Sequence, residues 1–308
     1  MTAQKSHFES TRPNYLFKAR GFSLALGPKT LVMGIVNVTP DSFSGDGTLK
    51  NQDAFRRTLQ HLKNGANLID IGGESSRPGA KTMTADEEIR RIVPLIKKLA
   101  KVVKGPISVD TYKGLTAEHA LDAGASIINN IQGVKSEKNL LKMVARYKAG
   151  IILMHMRGTP KTMQKKTKYK NLIADIIKEL KTAVENCLEI GIKSDNIILD
   201  PGIGLFAKTA EQNLEIINRL AEFKVLRKPI LIGTSRKSFI GKILTTDADN
   251  RLVLKDSPAS RLAGTIASSV LAIQHGAHIV RVHDVKEMAQ AAFVADAISN
   301  ERMTIQKS

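Results

Sequence analysis

The chain has 308 residues, 42% hydrophobic and 25% charged, with no tryptophan and one cysteine, Cys187; that is enough apolar matter for one large core and excludes a mainly disordered chain. No apolar run approaches the ~20 residues needed to cross a bilayer, the opening MTAQKSHFESTRP lacks a secretory core, and a lone thiol fits a reducing cytoplasm. Basic residues outnumber acidic ones 47 to 29, a formal charge of +18, which favours anionic partners without choosing among phosphate esters, carboxylates and nucleic acids.

In chain order, residues 1–20 read as a flexible extension, and the segment 22–26 as a piece that caps the bottom of a barrel. Eight strand candidates follow, near 31–36, 67–71, 106–109, 126–128, 150–154, 196–199, 229–233 and 279–282. Helical periodicity separates them, as in the shared face of Leu214, Ile217 and Leu220 within 210–222. The strand runs are continuous rather than alternating, as parallel strands covered on both faces require. A repeat marks them: Gly65-Ala66-Asn67-Leu68-Ile69-Asp70, Gly124-Ala125-Ser126-Ile127-Ile128-Asn129 and Gly276-Ala277-His278-Ile279-Val280-Arg281, with Gly150 to His155 as a looser fourth copy. Each copy reads as a left-handed glycine cap ending a helix, then a buried strand, then a polar residue at the strand's carboxyl end. The stretch 242–257 reads as a long polar loop, with Ser257-Pro258 opening the next helix. Eight such units predict an α/β fold, a single-domain (β/α)8 TIM barrel over residues 21–300 with an N-terminal capping segment and a tail at 301–308.

In such a barrel, polar residues at the carboxyl ends of strands read as chemistry. The tips carry Asn37, Asp70, Asp110, Asn129, His155, Asp200, then Ser235 with Arg236 and Lys237, and Arg281 with His283. Asp70, Glu74 and Asp284 read more simply as structural acids that satisfy strand ends and loop amides. Asp110, Asn129, Asp200 and Lys237 combine acceptors with one cation, a set suited to a flat heterocycle with a guanine-like edge. Asn37, Arg281 and His283 lie on strands that become neighbours on closure and suit an anion. No run of carboxylates supplies a metal cage, so a magnesium ion would rest on one amide oxygen plus substrate phosphates and water. The polar, glycine-rich loops after strands one and two read as lids over a water-sensitive site. The lysine-rich run from Lys161 to Lys170 holds one tyrosine, poor interleaving for base stacking, and reads as a solvated basic loop.

Eight motifs in order resemble dihydropteroate synthase of bacterial folate synthesis. They are GIVNVTPDSFS at 34–44, GGESSRPGA at 72–80, ISVDTYK at 107–113, IINNI at 127–131, MHMRGTP at 154–160, DPGIG at 200–204, GTSRKSF at 233–239 and RVHDV at 281–285. The resemblance spans about residues 21–298. It implies a pterin pocket of Asp110, Asn129, Asp200 and Lys237, and a diphosphate site with Mg2+ near Asn37, Arg281 and His283, with Asn37 as the metal contact. It implies an aminobenzoate site of Ser76, Arg77, Pro78 and Ser235. Catalysis would then rest on Asn37, Asp110, Lys237, Arg281 and His283. The partners it implies are the two small-molecule substrates and a second copy of the chain, with no membrane. Three departures stand out: Ser76 in place of the usual threonine, Asn130 in place of an aspartate, and one additional residue near Leu205. The implied reaction joins 6-hydroxymethyl-7,8-dihydropterin diphosphate to 4-aminobenzoate by an SN1-like displacement. Two alternatives stand beside it: a pterin-binding methyltransferase serving a corrinoid protein, and, from another class, a basic nucleic-acid-binding module.

Overall fold

The computed structural model describes residues 12–38, 47–74, 82–159, 162–245 and 257–300. The first element is a hairpin of β1 (Tyr15–Ala19) and β2 (Phe22–Leu26), antiparallel about a turn whose Arg20 and Gly21 both have positive φ, as tight two-residue hairpins require. Phe17 is 1% exposed and reaches the barrel floor. A Cβ added at Gly150 would stand 2.4 Å from its ring, so a glycine is needed there to admit the plug. Arg12 donates to Asp296 at 2.7 Å and to the Gly27 carbonyl. The expectation of a flexible extension through residue 20 is therefore corrected from residue 12 onward, because burying Phe17 and pairing Arg12 fix this segment; residues 1–11 lie outside the described residues.

The eight predicted strands are present as β3 (Leu31–Asn37), β4 (Leu68–Gly72), β5 (Ile107–Asp110), β6 (Ile127–Asn130), β7 (Gly150–Met154), β8 (Ile197–Asp200), β9 (Leu231–Ile232) and β10 (Ile279–Val282). They form one parallel sheet in the order β8-β7-β6-β5-β4-β3-β10-β9. The bridge from Leu199 to Ile230, with Leu199 N–H donating to the Pro229 carbonyl, joins its two edges and makes the sheet a barrel. Around it run α1 (Gly47–Lys63), α2 (Ala85–Leu99), α3 (Gly114–Asp122), α4 (Lys138–Arg146), α5 (Leu172–Glu189), α6 (Ala210–Asn218), α7 (Ser238–Thr245), α8 (Leu262–Gln274) and α9 (Val285–Asn300).

The repeat is realised in its backbone: Gly65, Gly124 and Gly276 all have φ above +100°. The fourth copy differs, because there the left-handed residue is Lys148 and Gly150 already begins β7. Two expectations are corrected beyond β9. Residues 238–245 are helical, so α7 takes the start of the predicted loop. Ser257 and Ser260 exchange side-chain bonds in a turn, and α8 begins only at Leu262 rather than at Pro258.

Strand residues alternate between two cores. Outward side chains such as Ile69, Val109 and Ile128 pack under the helices, while Met33, Leu68, Ile127, Ile152 and Ile198 fill the barrel floor against Phe17. The floor is lined by apolar side chains, and the polar strand tips lie above it. Register then aligns them: Asn37 pairs with Gly72, Gly72 with Asp110, and Asp110 with Asn129.

Candidate active site

Asp70, assigned above to a structural role, lies at the centre of the polar upper half. It is fully buried, and its Oδ2 accepts from Arg281 Nε at 2.6 Å and from Asn129 Nδ2 at 2.9 Å. Arg281 Nη2 donates in turn to Asp110 at 2.9 Å. Asp70, Asn129 and Arg281 are the closing residues of the three matching hexamers, so the repeat itself marked Asp70 as equivalent to two residues read as functional. The structural reading does hold for Glu74, bound to Lys113, and for Asp284, bound to Arg236.

These contacts leave a row of open valences. Among the described residues, Asp110 Oδ1, Asn129 Oδ1 and Arg281 Nη1 make no hydrogen bond, and Asp200 has Oδ1 on the Gly202 N–H at 2.7 Å with Oδ2 unbonded. Lys237, placed at the start of α7, donates to the Ile203 carbonyl and lies 5.0 Å from the Phe206 ring centroid. Asn37 Oδ1 and Asp110 Cβ both lie within 3.7 Å of the point where Gly72 would carry a Cβ, so the missing side chain opens the space between them. Asn37, Asp110, Asn129, Asp200, Lys237, Arg281 and, through Ser235, His283 thus share one mouth. Ser76, Arg77 and Pro78 lie outside the described residues, as do most of the two predicted lid loops.

Burial sets the charge states. It pushes the Asp200 and Asp110 carboxyls up, against the opposing pull of Lys237 on the first and of Arg281 on the second. It lowers Lys237 to about 8, with Asp200 pulling upward. His283 falls to about 3 through burial and then the Arg281 and Arg236 guanidiniums, so its ring is neutral. Ser235 is 5% exposed and its Oγ lies 3.0 Å from His283 Nδ1, on the anion side of the mouth.

A second cluster lies behind Asp200, of which the sequence reading had placed only His155, at a strand tip. Lys208 is 1% exposed; its Nζ bonds His155 Nδ1 and the Phe206 carbonyl, both at 3.0 Å. His155 Nε2 meets Glu179 at 3.1 Å, and Glu179 accepts from Arg157. The chain around the additional residue at Leu205 closes through Ala207 at φ +61°, which returns Lys208 to the interior. Asn130 turns away from the mouth and holds its own turn through Ser136 and the Gln132 N–H.

Four exposed lysines, Lys165, Lys166, Lys168 and Lys170, ring the segment beside this cluster, which is anchored by Tyr169 to the Ala207 carbonyl and by Gln164 to that of Leu205. Among the described residues no group of three or more His, Cys, Asp or Glu side chains forms a metal cage, and no helix is long and apolar enough to cross a membrane.

The family model for pterin binding enzymes matches residues 33–283. A dihydropteroate synthase of Synechocystis sp. is 46% identical over 88% of this chain and 91% of its own. Among solved structures, a dihydropteroate synthase of Clostridium difficile in the presence of pteroic acid is 43% identical with a TM-score of 0.80, covering 89% of this chain and 98% of that one. A Xanthomonas albilineans dihydropteroate synthase with 4-aminobenzoic acid is 35% identical with a TM-score of 0.83, over 93% and 98%.

Proposed function

Because the chain belongs to the pterin-binding enzymes, and among them to the dihydropteroate synthases, we infer that its barrel mouth joins 6-hydroxymethyl-7,8-dihydropterin diphosphate to 4-aminobenzoate, with a heterocycle side and an anion side. The carrying observation is the Asp70 junction: one buried carboxylate oxygen binds both Asn129, on the heterocycle side, and Arg281, on the anion side. The unbonded acceptors of Asp110, Asn129 and Asp200 match the amino and ring N–H groups of a pterin edge, and Lys237 matches its carbonyl. The methyltransferase alternative has no use for the anion side, and the relatives described above argue against it.

Arg281 is clamped through Nε and Nη2, so its guanidinium plane is fixed before substrate arrives and Nη1 is left for the leaving group. Fixed donors of this kind stabilise developing charge without reorganising. Among the described residues the Asn37 amide oxygen offers magnesium one hard ligand, and phosphate oxygens and water would complete the shell. When bound there, the ion would neutralise diphosphate charge. In the step itself the pterin methylene C–O bond breaks, both electrons leave with diphosphate, and the electron-rich ring held by Asp110 and Asp200 carries the cation. The aminobenzoate nitrogen then forms the C–N bond and gives its proton to solvent. A neutral aromatic amine needs no strong base, so no protein group need take its proton. The resemblance supports Ser76, Arg77 and Pro78 as the aminobenzoate contacts.

The test is an assay of dihydropteroate formation with magnesium, with and without diphosphate on the pterin; product from the unphosphorylated pterin at equal rate would overturn the reading. Release of diphosphate without aminobenzoate is expected for the SN1 order, and a strict need for the amine would refute that order. The exposed Leu271 of α8 and Phe293, Val294 and Ile298 of α9 support a homodimer through these helices. Light scattering should give twice the chain mass, and Phe293→Glu should halve it.

A further inference from the structure

His283 has two ring nitrogens, and only one arrangement of protons satisfies its surroundings. The Ser235 hydroxyl oxygen accepts from the His283 backbone N–H at 3.1 Å and lies 3.0 Å from Nδ1. A hydroxyl has one proton to give and two lone pairs to receive. If Nδ1 donated to the hydroxyl, the hydroxyl's own proton would have no acceptor among the described residues, at a position where Ser235 is 5% exposed. Leaving a buried donor unpaired costs more than the bond gains. If the hydroxyl donates to Nδ1, both of these buried atoms are paired and the ring proton sits on Nε2, which makes no bond among the described residues but, on a half-buried ring at the mouth, is within reach of solvent or an incoming anion. The ring is neutral, as burial and the flanking Arg281 and Arg236 require against the pull of Asp284.

We propose that Ser235 is a positioning residue that holds His283 in its Nε2–H tautomer, so that an uncharged imidazole donates to the departing diphosphate. The opposite tautomer would turn a lone pair toward the anion and repel it. The proposal rests on the diphosphate reading above and differs from the aminobenzoate role that the resemblance implies for Ser235. It also explains how a histidine with its pKa held near 3 serves an anion: it acts through a fixed dipole rather than a charge.

The test uses the full chain labelled with 15N-histidine, with His283 assigned by comparison with His283→Gln. The expected spectrum has a pyridine-like Nδ1 and a pyrrole-like Nε2. Ser235→Ala should mix the two tautomers and weaken inorganic pyrophosphate binding about 10-fold, with the KM for aminobenzoate unchanged. Ser235→Thr, which keeps the hydroxyl, should retain both signatures. A pyrrole-like Nδ1 in the unaltered chain would overturn the proposal. So would a Ser235→Ala variant that raises the aminobenzoate KM while leaving pyrophosphate affinity and the His283 signals in place. Failure of pyrophosphate to bind the unaltered chain would instead strike the diphosphate reading, and the tautomer is decided without it.

Discussion

Replacing Asp70 by asparagine separates charge from geometry at the junction of the site. Asp70 Oδ2 accepts two hydrogen bonds, whereas Oδ1 is buried and has no partner among the described residues. An asparagine oxygen placed at Oδ2 can accept both bonds, and its amide nitrogen then occupies the position that was unbonded. The substitution therefore removes the charge and keeps the contacts. A hydrogen bond to a charged group is worth about 1.5–3 kcal/mol against 0.5–1.5 for a neutral one, so two such bonds lose about 2 kcal/mol, or ~30-fold in kcat/KM. Asp70→Ala removes both bonds and leaves Arg281 with Asp110 alone. Breaking a buried pair in this way costs about 3–5 kcal/mol, or more than ~150-fold. Steady-state assays of diphosphate release, with melting curves to confirm folding, compare the two variants. Equal damage from both would refute the view that Oδ2 geometry joins Asn129 to Arg281.

Phe17→Ala should destabilise the chain by about 3–5 kcal/mol by emptying the floor plug, seen as a lower urea midpoint, while KM values in the folded protein stay unchanged; an equal loss of catalysis would contradict the separation of floor from mouth. Lys237 loses its proton near pH 8 rather than at the usual 10.5, so the KM for the pterin substrate should rise above about pH 8; a flat profile to pH 10 would remove Lys237 from pterin binding. His155 and His278 are held near 4 by burial, against an ordinary value of 6.5. Between those limits the unfolded chain binds more protons, so their stability contribution is complete above pH 6.5 and is lost as pH falls toward 4, at about 1.4 kcal/mol per pH unit for each histidine. Urea midpoints at pH 7 and pH 5 measure this, and His278→Phe should flatten the slope.

The barrel was legible because its signals are local. A glycine cap, a β-branched run and a polar tip recur within six residues, and Gly65, Gly124 and Gly276 take the backbone conformation that this pattern demands. Asp110, Asn129, Asp200, Lys237, Arg281 and His283 could be expected at one mouth, where the structure brings them, because a strand's carboxyl end can be placed from that pattern alone. The place of Asp70 between Asn129 and Arg281 was not legible because it depends on which neighbours it meets across the interior, and inter-strand register is not written in one strand's sequence. The pairing of His155, a strand tip in the sequence, with Lys208 was not legible for the same reason: it depends on the left-handed turn at Ala207, which no glycine advertises. Residues 22–26 were read as the floor cap, but the hairpin's first strand was missed because Phe17 is seated against Gly150, far along the chain. The start of α8 was misplaced because a Ser–Pro pair fits a turn as well as a helix entry.

Arg12 binds Asp296, near the end of α9, beneath the floor. The first and last described segments of the barrel are thus moored side by side at the pole opposite the mouth. A short linker joining them, with new termini cut in an outer helix connection, should give a circularly permuted enzyme whose substrates never encounter the splice. The same mooring lets a neighbouring domain be appended at either end without shadowing the entrance.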